Sequence, residues 1–408
     1  MTTDIHPPRP AGELATDFGR QLKLALTGNP NARFVYLNNF EVEQLWSADA
    51  PRLPGAAVNF SGATVNRMEE FALLLADRED VVLLKEAADP GYVAYLASLG
   101  FQLPDTLTVD VNRPEIPVTQ DALASPRLLQ RLRALADGRT YLMPLGVSVW
   151  EERLSEATGL PLAAPSAEIC RAVNGKIYGR ELVARLGLRE VPGAVCRTVD
   201  ELRAALEERR SLLAAGGRVV VKESLGVSGR GMVVLSLERR ADQLLRLVER
   251  RAERSGEDRV DLVVEDWVEK VCDLNYQAVI ARDGSVRYAG LKRAVVERGV
   301  HKGHAFPVQL PNDGEEQIRH AAEVIGASLH ADGYAGVIGV DAILAADGTV
   351  YPCLEINARF NMSTYQARIA QNLLAPGHCA LAATLNTQLV RRVGFAQVRE
   401  ALDRKSVV

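Results

Sequence analysis

The sequence predicts a mixed α/β (α+β) protein of two or three domains, and three observations predict it. Apolar strand candidates alternate with helical stretches between about 30 and 165. A strand that ends in lysine, a glycine-rich turn and a returning strand follow at 217–237. The last third is rich in strands, and two of their connections contain Asp-Gly. Strand–helix alternation favours an α/β layer, whereas Asp-Gly turns favour antiparallel hairpins.

The spacing of apolar residues predicts each element in turn. In the first region the strand candidates are 32–37, 80–85 and 139–146, with a helical pattern at 66–77. The middle of the chain alternates predicted helices and strands, at 174–186, 199–215, 217–223, 233–237 and 239–254. The later strand candidates are 260–268, 273–281, 285–293, 304–310, 336–344 and 349–357. The stretch from about 364 to 404 is predicted to be helical.

Composition places the chain among ordinary globular proteins. Of its 408 residues, 47% are hydrophobic and 25% charged, and the net charge is −4, so we expect no nucleic-acid partner. No run approaches the ~18 apolar residues of a membrane helix, and the start lacks the pattern of a secretory signal. Five separated cysteines without a C-x-x-C pair favour a reducing compartment over a disulfide framework. We therefore expect a cytoplasmic protein without membrane contact.

Lysine is scarce in this chain. Only eight of the 48 basic residues are lysines: Lys23, Lys85, Lys176, Lys222, Lys270, Lys292, Lys302 and Lys405. Codon bias in a high-GC genome explains the excess of arginine, but it does not determine where lysine is retained. Ammonium and guanidinium groups are not interchangeable, so the retained lysines are candidates for functional positions.

The segment VVVKESLGVSGRGMVVL (219–235) places Lys222 at the end of an apolar strand, before a turn with three glycines. Glycine lets backbone N–H groups approach phosphate oxygens, and lysine adds a point charge. The turn lacks the G-x-x-x-x-G-K-[ST] spacing and the following helix of a Walker A loop. At this point phosphate binding and a simple flexible hairpin are both open.

The segment VVEDWVEKVCDLNY (263–276) joins two strand candidates through a charged connector. A connector of this kind can offer backbone donors and acceptors to an adenine edge, and a nearby carboxylate can bind ribose hydroxyls. A charged surface turn is the alternative.

The segment GVDAILAADGTVYPCLEINARFN (339–361) carries three hard oxygen ligands suited to Mg²⁺, namely Asp341, Glu355 and Asn357. A two-residue Asp-Gly turn would pair position 341 with 354 and put Glu355 on the opposite face of the hairpin. A three-residue turn with a left-handed Gly348 would pair 341 with 353, leaving Glu355 diagonal to Asp341 on the same face. A metal site therefore predicts an odd-length, bulged turn.

The stretch GLKRAVVERGVHKGHAF (290–306) is basic and can bind a carboxylate or a developing phosphate charge. Its basic side chains are Lys292, Arg293, Arg298, His301, Lys302 and His304. A zinc site on the two histidines lacks a third ligand, and a solvated charged loop is the remaining alternative.

In order, these motifs resemble the ATP-grasp ligase superfamily over about Asn174 to Ser363. The resemblance implies an ATP-grasp fold, with two α+β subdomains that grip ATP, preceded by a Rossmann-like pre-ATP-grasp domain. The implied segments are a tail at 1–30, the pre-ATP-grasp domain at 31–170, a lid subdomain at 171–268 and a central and C-terminal subdomain at 269–408. The chain also resembles bacterial ligases that join amino acids or peptides in natural-product pathways, of the pheganomycin type. ARFNMSTY is unlike the ending of D-Ala–D-Ala ligases, so we do not expect that substrate.

The resemblance also implies a role for individual residues. The nucleotide-binding set is Lys176, Lys222, Ser228, Gly229, Gly231, Glu265, Asp266, Val268 and Asp273, with Glu269 as the alternative to Asp273 at the ribose. The magnesium ligands are Asp341, Glu355 and Asn357. Arg359 would face the acyl phosphate, and Lys292 or Arg293 would meet the γ-phosphate or the substrate carboxylate. The remaining substrate residues are His301, Lys302, His304 and Ser363.

The implied activity is that of an ATP-dependent carboxylate–amine ligase, which forms an amide or peptide bond through an acyl phosphate. Its cofactors would be ATP and one or two Mg²⁺ ions, with Mn²⁺ as an alternative metal. Its partners would be amino-acid or peptide substrates, a carrier protein if the acceptor is a thiol, and a second copy of the chain in a homodimer. Three alternatives are open: loading of an amino acid onto a carrier-protein thiol, a small-molecule kinase, and a nucleotide-binding regulator without turnover.

Overall fold

The computed structural model describes residues 17–54, 62–226, 231–297, 300–384, 391 and 393–405. The strands in these ranges are β1 (Arg33–Leu37), β2 (Val81–Leu84), β3 (Asp105–Thr108), β4 (Thr140–Pro144), β5 (Gly193–Thr198), β6 (Val219–Glu223), β7 (Met232–Leu235), β8 (Arg259–Asp266), β9 (Lys270–Ile280), β10 (Val286–Glu297), β11 (Val300–Phe306), β12 (Gly336–Ala345), β13 (Val350–Asn357) and β14 (Ala380–Ala383).

The α-helices in the same ranges are α1 (Phe18–Thr27), α2 (Val42–Trp46), α3 (Gly62–Val65), α4 (Pro90–Ser98), α5 (Val118–Leu123), α6 (Pro126–Arg133), α7 (Val149–Thr158), α8 (Ala167–Val173), α9 (Lys176–Arg185), α10 (Val199–Glu208), α11 (Arg210–Ala214), α12 (Glu238–Ser255), α13 (Gly314–Ala331), α14 (Gln366–Leu373) and α15 (Phe395–Lys405). A 3-10 helix spans Met68–Leu74. No helix in the described ranges is long and apolar enough to cross a bilayer.

The first sheet is parallel and has the strand order β3-β2-β1-β4. β1, β2 and β4 are short, largely buried apolar runs that overlap the predicted strands 32–37, 80–85 and 139–146, whereas the half-exposed edge strand β3 was not predicted. The segment 1–30, expected to be a tail, contains helix α1, whose Leu22 and Leu26 are buried in the core. This part of the expectation was wrong because α1 has an apolar face that packs against the rest of the chain.

Two antiparallel sheets follow. The second has the order β5-β8-β6-β7, and the third the order β13-β12-β9-β10-β11-β14, with α13 packed against its strands. Each of the three sheets lies inside one of the segments expected from the sequence, and we keep those segments as our proposal for the domain organisation. The region after 364 is not wholly helical, because β14 pairs with β11 as an edge strand.

Glu41 is a buried carboxyl group between β1 and α2. Its side chain lies among Glu69, Glu151 and Lys85, and its Oε1 has no hydrogen-bond partner within the described residues. Burial, reinforced by the neighbouring Glu151 carboxylate, raises the pKa of Glu41 to about 8. The folded protein therefore holds this proton up to a pH at which the unfolded chain has already released it.

Glu41→Gln should stabilise the protein at alkaline pH and have little effect in acid. The unfolded glutamate releases its proton near 4.5 and the folded one near 8. Between these two pKa values, each pH unit lowers the free energy of unfolding of the wild type by ~1.4 kcal/mol. Thermal melts should show a higher Tm for the variant at about pH 9 and an equal Tm at about pH 4. The exposed Glu253→Gln is the control, and an equal gain at both pH values would contradict the prediction.

Candidate active site

Four polar residues stand in one register row across the third sheet. Glu355 pairs with Asp341, Asp341 pairs with Asn275, and Asn275 pairs with Lys292, on β13, β12, β9 and β10. Residues directly opposite each other in an antiparallel sheet point to the same face. The row therefore brings two carboxylates, an amide and an amine together on one face.

The turn that leads to Glu355 has the odd length that the metal-site hypothesis predicted. Ala345 pairs with Thr349, so Ala346, Asp347 and Gly348 form a three-residue turn, and Gly348 is left-handed with φ 86°. The register then shifts between Asp341 and Ile343. Glu355 consequently lies directly opposite Asp341, not diagonal to it.

The shift in register has a local cause. It falls in the stretch of β13 that contains Pro352. Proline has no N–H to donate to the ladder and is confined to strand edges or bulges. The two carboxylates are therefore closer than simple hairpin counting predicts.

Amide and ammonium donors hold the carboxylate pair. Asn275 Nδ2 donates to Asp341 Oδ1 at 2.7 Å, and Asn357 Nδ2 donates to Asp341 Oδ2 at 3.2 Å. Lys176 Nζ lies 2.8 Å from Glu355 Oε1. Burial and the adjacent Glu355 raise the pKa of Asp341 to about 6. Burial opposes ionisation of Glu355, but Lys176, Lys222 and Arg359 hold the pKa of Glu355 below its ordinary value.

These side chains fit a magnesium ion by their chemistry. Asp341 and Glu355 offer carboxylate oxygens and Asn357 offers an amide oxygen, and Mg²⁺ prefers oxygen ligands and keeps several waters. Within the described ranges there is no group of three or more His, Cys, Asp or Glu side chains that could hold a metal. The candidate set is therefore two carboxylates and one amide.

Both candidate phosphate lysines lie near Glu355. Lys176, at the start of α9, also donates from Nζ to the carbonyl oxygen of Gly226 at 2.8 Å. Lys222 Nζ donates to Glu265 Oε2 at 2.5 Å, and Arg180 Nη1 donates to Glu265 Oε1 at 2.9 Å. Since Lys176 and Lys222 both lower the pKa of Glu355, they approach the same carboxylate from two elements.

The expected nucleotide connector follows β8. Asp266 donates its backbone N–H to Pro192, whereas the N–H of Val268 has no partner among the described residues. Asp273 pairs with Lys270 at 2.6 Å, and Glu269 is exposed and paired with Arg218. Val268 therefore stays a candidate donor to an adenine edge, and both carboxylates stay candidates for the ribose.

The glycine-rich turn is only partly described. Ser228 and Gly229 lie outside the described residues. Gly231 has φ 67° and its carbonyl oxygen accepts from the N–H of Glu223 at 2.7 Å. A side chain at Gly231 would meet the carboxylate of Glu223, so glycine is required there.

Lys292 continues the row toward a second polar cluster. Its Nζ donates to the carbonyl oxygen of Ser363, and Ser363 Oγ is buried and has no hydrogen-bond partner among the residues that the structure describes. Burial lowers the pKa of Lys292 to about 7.

His301 and His304 form a pair beside Lys292. Their Nε2 atoms are 3.2 Å apart, and His304 Nδ1 lies 3.1 Å from Gln366 Nε2. Burial, His301 and Lys292 lower the pKa of His304 to about 3.

Two expected substrate residues are not in this cluster. Arg293 follows Lys292 on β10 and therefore points to the opposite face of the sheet, where it is exposed. Lys302 is the unpaired residue of a bulge in β11, between the positions that pair with Val295 and Val296. Its side chain makes no bond to the other candidate residues in the described part of the chain. The expectation for Arg293 is corrected because side chains alternate along a strand.

Sequence reasoning missed an amide network beside the row. Gln277 Nε2 donates to Asn275 Oδ1 and to Asn361 Oδ1, both at 3.1 Å, and Gln277 Oε1 accepts from Thr364 Oγ1 at 2.8 Å. Gln277 thus orients Asn275 toward Asp341 and ties the segment after β13 to β9. The alternation of Asp273, Asn275 and Gln277 along one apolar strand was the signal that could have found it.

Gly339→Ala should disrupt this network, because a methyl group at position 339 would overlap Asn361 Nδ2 and Gln277 Nε2. Overpacking of this kind costs about 1–3 kcal/mol. Thermal melts should show a lower Tm, and substrate-dependent ADP release should fall. Gly179→Ala is the matched control, since its added carbon meets only Ile356 at 3.8 Å, and equal melts for the two variants would contradict the prediction.

The fold and this site can now be compared with known proteins. Residues 68–160 match the model of the pre-ATP-grasp domain. The chain is 28% identical over 306 residues to the [butirosin acyl-carrier protein]–L-glutamate ligase of Niallia circulans, a match that covers 74% of this chain and 66% of the relative. It is 26% identical over 212 residues to the carbamoyl phosphate synthase large chain of Xanthomonas campestris pv. campestris, covering 51% of this chain and 18% of that protein.

Among solved structures, a biotin carboxylase complex with β,γ-ATP from Campylobacter jejuni superposes with a TM-score of 0.50 and 15% identity, over 78% of this chain and 70% of that one. The architecture is thus a pre-ATP-grasp domain followed by an ATP-grasp fold. The chain spans less than two thirds of the length of each of these two relatives.

Proposed function

We propose that this protein is an ATP-dependent ligase that activates a carboxylate as an acyl phosphate and joins it to an amine. The observation that carries the proposal is the register row from Glu355 to Lys292, flanked by Lys176 and Lys222. It combines a place for a hard cation, cations for a polyphosphate and a buried amine on one face. Phosphoryl transfer from ATP needs the first two of these features.

The proposed reaction has two steps. A carboxylate oxygen of the substrate attacks the γ-phosphorus of ATP, the bond to the β-phosphate oxygen breaks, and ADP leaves. The amine nitrogen then attacks the acyl carbon, the bond to the phosphate oxygen breaks, phosphate leaves with the electron pair, and the amine loses a proton to solvent. In both steps the protein supplies alignment and charge neutralisation.

The residues have distinct tasks in this scheme. Lys176 and Lys222 neutralise phosphate oxygens, and Glu265 orients Lys222. Asp341, Glu355 and Asn357 would hold Mg²⁺, which when bound neutralises charge on the transferring phosphoryl group. His301, His304 and Ser363 line the substrate side of the row. Arg359 faces the acyl phosphate.

A second candidate differs only in the acceptor. The relative that matches 74% of this chain is named for joining L-glutamate to an acyl-carrier protein. By analogy, the acyl phosphate in this protein would be attacked by a carrier-protein thiol, with the thiol losing the proton. The first step and its residues are the same in both candidates.

The proposal is tested by measuring ADP release with single amino acids, starting with L-glutamate, alone and with amine or short-peptide acceptors. Substrate-dependent ADP formation with an amide product supports the ligase. Mass spectrometry of an added carrier protein separates the thiol acceptor. A stable phosphorylated product would show a kinase instead, and ATP binding with no ADP formation under any pairing would overturn the proposal.

A further inference from the structure

Arg359 is held by a carboxylate from the N-terminal part of the chain. Its Nε donates to Glu43 Oε1 at 2.9 Å, and its Nη2 donates to the same oxygen. Glu43 lies in α2, directly after the first parallel strand, 316 residues before Arg359. Both side chains are mostly buried, with 13% and 18% of their surface exposed. A shielded pair of this kind is screened less by solvent than a surface pair.

The same guanidinium reaches the candidate metal site. Arg359 Nη2 also donates to Asn357 Oδ1 at 2.9 Å, and Asn357 Nδ2 donates to Asp341 Oδ2. Arg359 Nη1 donates to the carbonyl oxygen of Phe360 at 3.0 Å. An unbroken chain of hydrogen bonds therefore runs from Glu43 through Arg359 and Asn357 to Asp341.

Three carboxylates, those of Glu43, Asp341 and Glu355, attract the guanidinium of Arg359. Glu43 contacts the guanidinium directly, whereas Asp341 is linked to it through the Asn357 amide. Glu355 lies directly opposite Asp341 on the neighbouring strand. The two candidate metal ligands therefore attract the guanidinium as well. Without Glu43 the guanidinium would be free to move toward them, and there it would take the place of a cation.

We propose that Glu43 is a positioning residue, which holds Arg359 away from Asp341 and Glu355 and aims it at the reacting carboxylate. The inference rests on the proposed function for the role of Arg359. It assigns the N-terminal domain a direct part in the active site, through one side chain. It also assigns Glu43 an effect on cation affinity, which can be measured without turnover.

The test is a double-mutant cycle between Glu43 and Arg359. Glu43→Ala should lower kcat at least about tenfold with a smaller change in KM for ATP, because a misaimed group costs more in the transition state than in binding. Glu43→Gln keeps the shape and one acceptor and should retain an intermediate rate. In an Arg359→Met background, Glu43→Ala should change kcat less than about twofold, since residues that act as one unit are not additive.

Calorimetry of MgADP binding gives a readout that does not depend on turnover. Glu43→Ala should weaken MgADP binding several-fold, and Arg359→Met should restore the affinity in the double variant, since the competing guanidinium is gone. Asp49→Ala is the control, because Asp49 is exposed and pairs with Arg171 away from the row. It should leave both kcat and MgADP affinity unchanged.

The outcomes separate this inference from the proposed function. Additive effects of the two substitutions, or a Glu43→Ala variant with wild-type kcat and MgADP affinity, would overturn the inference. If the wild type forms no ADP with any substrate, the proposed ligase fails, while the MgADP cycle still decides whether Glu43 controls Arg359. If Glu43→Ala does not fold, the isosteric Glu43→Gln is used in the same cycle.

Discussion

Glu355→Gln is expected to slow substrate-dependent ADP release at least about 100-fold at saturating MgATP. Loss of one well-placed electrostatic contact to a transition state costs about 10²–10³ in rate. Glu355 stands directly opposite Asp341 and is the carboxylate bonded to Lys176, so its charge supports both the candidate metal and the first lysine. The substitution keeps the shape of the side chain.

The fold should survive this change. Lys176 retains its bond to the Gly226 carbonyl, and removing one charge relieves the repulsion that raises the pKa of Asp341. The Tm should therefore fall by no more than a few degrees. Glu323→Gln, on the exposed face of α13, serves as the control for rate and stability. A Glu355→Gln enzyme that released ADP at the wild-type rate would show that this residue is not a metal ligand.

Lys222→Met should raise the KM for ATP by about tenfold or more. A buried or half-buried charge-assisted contact to phosphate is worth about 1.5–3 kcal/mol, and Lys222 is only 17% exposed. Its partner Glu265 keeps the bond from Arg180, so no carboxylate is left unpaired in the variant. Initial rates at varied ATP and a saturating second substrate give the measurement.

The matched variant is Lys222→Arg, which retains the charge but not the compact geometry of an ammonium group. It should show a KM for ATP between those of the wild type and of Lys222→Met. Melting curves confirm that both variants are folded. An unchanged KM in Lys222→Met would remove this lysine from the nucleotide site.

The scarcity of lysine now has a fuller explanation. Lys176, Lys222 and Lys292 belong to the candidate site, as the count of retained lysines suggested. Lys85, however, is buried in the N-terminal domain, where its Nζ lies 2.9 Å from Asp121 and 2.7 Å from the Arg113 carbonyl oxygen. Its compact ammonium group fits a closed space, so lysine is retained here at a buried structural position as well as at the proposed phosphate contacts.

The sequence by itself determined the local elements of this site. The apolar strands, the placement of Gly348 in a hairpin turn, and the lysine at the end of β6 follow from short-range patterns of hydrophobicity and backbone freedom. The two-residue period of a strand also puts Lys292 and Arg293 on opposite faces, but it does not tell which of the two faces the site. Each of these features depends only on residues a few positions away, so a single sequence is enough to predict it.

Only the tertiary structure decided which of these residues meet. The register shift beside Pro352 placed Glu355 opposite Asp341, and pairing of β9 with β10 and β12 brought in Asn275 and Gln277. The contact between Glu43 and Arg359 joins positions 316 residues apart. Such contacts depend on how sheets and loops pack across the whole chain, and no local pattern in the sequence encodes the distance between them.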